Sequence, residues 1–155
     1  MAYHHLKTEA LFLKKSQQKE ADFLFTLYTK EFGKIKVIGK AIRKANSKLQ
    51  LASQLFYLAE VEFIEGKVGK ILTDALLLEK FDFIYQNEEK FLTALEIANK
   101  IDQAFPLEQK DEKMWQLLLK TICSLEKAEN QFAKDKAYPF FLEGLQNCLG
   151  CSLED

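Results

Sequence analysis

Nine basic side chains near the start of this chain, Lys14, Lys15, Lys19, Lys34, Lys36, Lys40, Arg43, Lys44 and Lys48, have the strongest claim to chemistry, and that chemistry is electrostatic. Residues 1–48 hold eleven Lys/Arg against four Asp/Glu, a net +7, while residues 49–155 hold eleven against nineteen, a net −8. The formal charge of −1 for the whole chain conceals this division, which points to an anionic partner for the first part. Lys34 and Lys36 fall in a strand pattern, with Ile35 and Val37 on the opposite face, and Gly39 leads into a small-residue cationic segment. A lysine-bearing sheet face that runs into a basic loop suits a phosphate backbone. The same residues also fit a solvated edge strand followed by an ordinary surface loop. Tyr28 and Phe32 are the aromatic candidates for stacking on unpaired bases, since Phe23 and Phe25 share a face suited to packing a barrel.

Other chemistries lack their residues. The only histidines, His4 and His5, are adjacent on a strand pattern and point to opposite faces, which is poor geometry for one metal. No nucleophile–base set stands out, and Gly33, Gly39, Gly66 and Gly69 match neither nucleotide-binding glycine pattern. No enzyme activity and no cofactor are expected. Trp115 reads as a packing residue. Three cysteines, Cys123, Cys148 and Cys151, are an odd count that fits free thiols in a reducing cytoplasm. No run of eighteen apolar residues occurs, and His4, His5, Lys7 and Glu9 stand where a signal peptide needs an apolar stretch. The expected location is the cytoplasm, with no membrane partner.

These side chains need a scaffold, and the hydrophobic period supplies one. Residues 3–13 and 21–29 read as strands, joined by a polar turn that contains Lys14, Lys15 and Lys19. Residues 34–39 form a third strand, 56–64 a fourth and 68–78 a fifth, the last with an irregularity near Gly69 or Ala75. Glu65-Gly66-Lys67 is a hairpin turn, and residues 47–54 fit either loop or one to two turns of helix. Five short strands with the longest link between the third and fourth predict a small Greek-key barrel of OB type. After Phe81 the period lengthens to that of helices over 88–105, 109–127 and 138–149, with Asp111 and Glu112 in the first turn of the second and Pro139 in the first turn of the third. The fold class is α+β: an OB barrel over residues 1–80 for binding, then a small helical domain over 81–155.

Several segments together resemble the bacterial recombination mediator RecO, a DNA repair family. They are Glu20-Ala21-Asp22, Leu27 to Ile35, Gly39 to Arg43, Ser47-Lys48-Leu49, Leu58 to Glu62, and Leu72 to Leu78. The resemblance implies an OB barrel followed by helices, and binding to single- and double-stranded DNA. It implies strand annealing and recombinase loading on strands coated by single-strand-binding protein. The implied partners are RecR and the acidic C-terminal tail of that coating protein. Many members carry a four-cysteine zinc module after the helix that residues 138–149 match, and this chain resembles a short form without it. Cys148-Leu149-Gly150-Cys151 offers half the ligands of a tetrahedral site, so no zinc is expected. The alternative function is a protein–protein adaptor, whose basic barrel face takes an acidic peptide tail with little affinity for DNA.

Overall fold

The computed structural model describes residues 4–19, 21–42, 47–129 and 133–150. Five strands, β1 (His5–Gln17), β2 (Phe23–Thr29), β3 (Gly33–Gly39), β4 (Leu58–Gly66) and β5 (Gly69–Glu79), close into a barrel in the order β1-β2-β3-β5-β4. Every pairing is antiparallel except β3 with β5, which is parallel. This is the expected five-stranded barrel of OB type, here with mixed pairing, and helices follow it. Alternation builds its interior, where Ala10 and Phe12 of β1, Phe25 and Leu27 of β2, Ile35 and Val37 of β3, and Ala59, Val61 and Phe63 of β4 form one buried cluster. Phe12 and Phe25 meet edge to face with ring centroids 5.3 Å apart.

Two features depart from the sequence expectation in ways that bear on the basic residues. β1 runs four residues beyond Leu13, so Lys14 and Lys15 are strand residues and only Lys19 lies in the turn. A register shift between Phe12 and Lys14 adds Leu13 as an extra residue, which resets the alternation. The irregularity of β5 falls near Ala75, at Thr73. Glu62 pairs with Asp74 and Phe63 with Leu72, leaving Thr73 over, and a second shift leaves out Leu78. The Thr73 hydroxyl donates to the Glu62 carbonyl at 3.1 Å, which satisfies the bulge locally. Between the third and fourth strands, residues 47–52 form the short helix α1 (Ser47–Ala52).

The chain divides into two compact units. One comprises residues 1–80 together with 105–110, and the other 81–104 with 111–155. The second unit holds α2 (Asp82–Gln86), α3 (Glu88–Ala104), α4 (Glu112–Lys127) and α5 (Ala133–Leu149). Asp111 caps α4, its carboxylate accepting from the Met114 N–H at 3.0 Å, which satisfies one orphan donor of the first turn. Asp111 thus lies just outside the helix. The α2 helix has no counterpart in the periodicity, because five residues are too few to show one. Its first-turn amides of Phe83 and Ile84 donate to the Glu126 carboxylate at 3.1 and 2.9 Å. Pro139 is a correction. It lies inside α5, not in the first turn, because the helix starts five residues before the expected Tyr138. Among the described residues no helix is long and apolar enough to cross a membrane.

Candidate nucleic-acid interface

Strand register decides which basic side chains share a surface. Lys14 on β1 lies opposite Thr26 on β2, and Thr26 lies opposite Lys36 on β3. Directly opposed residues point to the same side of a sheet, and their neighbours Phe25 and Val37 point into the core. Lys14 and Lys36 therefore share the outward face of the first three strands, one on either side of the buried Thr26. Two residues further toward the same end, Ser16, Leu24 and Ile38 form the next outward row. Beyond that row, the turn from β1 to β2 carries Lys19, and Lys40 follows β3 directly. The Ala41 N–H donates to the Asp22 carboxylate at 2.7 Å, which ties the two loops together. Lys19, Lys36 and Lys40 are exposed, and none of them enters an ion pair among the described residues.

The other end of the same face is covered. Residues 105–110, which follow α3 in the chain, pack with the barrel as a strap. Leu107 bridges Lys34 in parallel fashion, and the Glu108 N–H donates to the Lys34 carbonyl at 2.7 Å. The Phe105 ring meets Tyr28 edge-on at 6.0 Å. Lys110 pairs with Glu31 at 3.0 Å, and Glu108 pairs with Lys70 at 3.0 Å. Gly33 makes this close approach possible: it has φ +69°, and a Cβ there would run into the Gln109 carbonyl. Two expected site residues lie at this end: Tyr28 is completely buried and Lys34 is 7% exposed, so neither side chain is at the surface.

The remaining candidates vary. Lys15 pairs with the inward-facing Phe25, and its ammonium lies 4.6 Å above the Phe23 ring, where burial lowers its pKa. Lys48 is exposed on α1 and pairs with Asp74 at 3.3 Å. Phe32 is half-buried and meets the core residue Phe63 edge-on at 5.5 Å. It packs more than it presents a face. Arg43 and Lys44 lie outside the described residues. His5 is exposed and 3.3 Å from Glu62. Among the described residues no group of three or more His, Cys, Asp or Glu could hold a metal, and Cys151 lies outside them.

Lys67 was missed as a candidate. It is exposed at the tip of the β4–β5 hairpin, and OB barrels use that loop with the strand 2–3 face and the first loop. Its turn was legible, but its relation to the face depends on the parallel β3–β5 pairing, which joins residues more than thirty positions apart. Lys70 begins that strand. Burial pulls its pKa down, but hydrogen bonds and charge from Glu108 and Glu65 outweigh this, and the pKa is raised overall.

Strand order, mixed pairing and the basic outward row define an OB-type barrel followed by helices. A family model described as "Recombination protein O N terminal" matches residues 1–81. The chain belongs to the RecO family. Among its relatives, the DNA repair protein RecO of Caldanaerobacter subterraneus subsp. tengcongensis is 30% identical over 110 residues, covering 71% of this chain and 44% of the relative. That of Thermodesulfovibrio yellowstonii is 30% identical over 125 residues, covering 79% and 50%. That of Caldicellulosiruptor bescii is 26% identical over 158 residues, covering 97% and 64%. The chain spans about half the length of the curated relatives it matches.

Proposed function

We propose that the barrel of residues 1–80 is a DNA-binding domain and that the protein is a non-catalytic recombination mediator in DNA repair, acting in the cytoplasm. The carrying observation is the outward row Lys14–Thr26–Lys36, with Lys19 and Lys40 beyond it. Membership of a family whose relatives are named DNA repair proteins supports the reading. Annealing needs no bond chemistry from the protein. A cationic face lowers the repulsion between two phosphate backbones and so raises the rate at which complementary strands meet. The same face binds single and double strands, since both present phosphates. Arg43, Lys44 and Lys48 extend it in sequence. RecR and the C-terminal tail of single-strand-binding protein are the proposed protein partners, through which recombinase is loaded on coated strands, with residues 81–155 as the helical domain.

A second reading, the adaptor for an acidic peptide tail, is favoured by one observation. Lys48 and Lys70 already hold carboxylates, so parts of this barrel accept acidic side chains. Titration of labelled single-stranded DNA at several salt concentrations separates the two. Phosphate contact predicts that log K falls with log[salt] by about 0.7 per neutralised phosphate. An adaptor would bind the acidic tail peptide and leave bare oligonucleotide free at physiological salt.

A further inference from the structure

The strap has the marks of a removable cover. Five of its six residues, 106–110, are exposed, and only Phe105 is even half-buried. Glu108 has φ +64°, a left-handed conformation that side-chain-bearing residues avoid. Its tethers to the barrel include one bridge, one backbone hydrogen bond and two ion pairs, whose carboxylates on Glu108 and Glu31 are 59% and 45% exposed. A segment with so few buried contacts belongs to the low end of local stability. What it touches is equally specific. Its backbone pairs with the edge of β3 at Lys34, its Phe105 ring meets Tyr28, and its Glu108 carboxylate holds the Lys70 ammonium, where a phosphate oxygen would form the same charge-assisted hydrogen bond.

We propose that residues 105–110 form an autoinhibitory strap at the Gly33 end of β3, which a single-stranded nucleic acid displaces by exchanging its phosphate for Glu108 on Lys70. This rests on the DNA-binding reading above and deepens it. The exposed Lys36 takes the first contact, and the Tyr28–Lys34 end becomes available only after the strap lifts. Displacement removes Phe105 from the Tyr28 ring and leaves Lys70 with Glu65 and the incoming phosphate. The apparent affinity is then the intrinsic one reduced by the fraction of molecules with the strap open. Single strands gain most, since only unpaired bases have faces to stack.

Hydrogen exchange on the full chain tests this directly. The Glu108 amide, bonded to the Lys34 carbonyl, is compared in the free protein and in protein saturated with an oligothymidylate of about 16 nucleotides, the upper site size of one such barrel. Exchange about tenfold faster in the complex is expected. Unchanged or slower exchange in a complex that anisotropy shows to be saturated overturns the strap and leaves the DNA-binding reading intact. Absence of oligonucleotide binding overturns both.

A lock gives an independent readout. Lys34→Cys with Leu107→Cys puts thiols on bridge partners, which stand within disulfide reach, in a background carrying Cys123→Ser, Cys148→Ser and Cys151→Ser. Oxidised protein should bind the oligonucleotide about tenfold more weakly than the same protein reduced, the scale of one lost base–aromatic contact. Equal affinities in the two redox states overturn the proposal.

Discussion

Lys34 and Lys36 are two residues apart on β3, point to the same side of the sheet, and meet different fates. Lys36 is exposed, with Lys14 across Thr26, whereas Lys34 is buried and its carbonyl accepts from the strap. Alternation along a strand fixes which way a side chain points. It does not fix what lies above it. The two ends of one sheet face therefore differ in kind: one carries the exposed Lys36 and the half-buried Lys14, and the other is a set of buried aromatic and basic groups in contact with the strap.

The comparison can be broken most severely from below, because both ends share one inner wall. Phe25→Ala removes a fully buried ring that packs against Phe12, and a loss of about 3–5 kcal/mol is expected in denaturant unfolding. A loss below about 1 kcal/mol would mean the barrel interior is not the rigid support described. Gly33→Ala acts on the covered end alone. It forces a side chain into a left-handed turn and against the Gln109 carbonyl, and should cost more than about 1 kcal/mol while speeding exchange of the Glu108 amide. Normal stability with normal protection would show that the strap does not depend on this glycine. Lys70→Met is the mildest, below about 1 kcal/mol, since its carboxylate partners are largely exposed. The pKa of Lys70 is raised on folding, so what its pairs contribute is fully present below 10.5 and is lost as pH rises through the higher folded value. The wild-type and Lys70→Met melting temperatures should therefore differ by a constant amount across neutral pH and converge only in strong alkali.

The open end of the face was largely readable in the residues, and the covered end was not. Ile35 and Val37 alternating with Lys34 and Lys36 gave the third strand and its outward lysines, as the heavier aromatic content of residues 21–29 gave the second. The apolar alternation stops at Leu13, which places Lys14 and Lys15 in a turn on sequence pattern alone. The bulge at Leu13 lets the strand continue with its faces reset, sending Lys14 outward and Lys15 toward Phe25. The strap left no trace in local pattern. Pro106-Leu107-Glu108 has no period, and the partners of the strap lie 38 to 79 residues earlier in the chain, so only tertiary structure joins them. Tyr28 has the chemistry of a stacking residue, but it is buried, and its ring contact with Phe105 is invisible in local pattern. Pro139 misled for a different reason: proline favours a first turn but can sit inside a helix held by its packing, as α5 is by Phe141 and Leu145.

The central claim is that Lys14 and Lys36 contact phosphates. It is tested most directly by the salt dependence of oligothymidylate binding in the wild type and in the Lys14→Ala, Lys36→Ala double variant, with melting temperature measured alongside. If each lysine neutralises one phosphate, the slope of log K against log[salt] flattens by about 1.4 in the double variant, two contacts at about 0.7 each, while the fold is retained. A slope equal to that of the wild type would contradict the account.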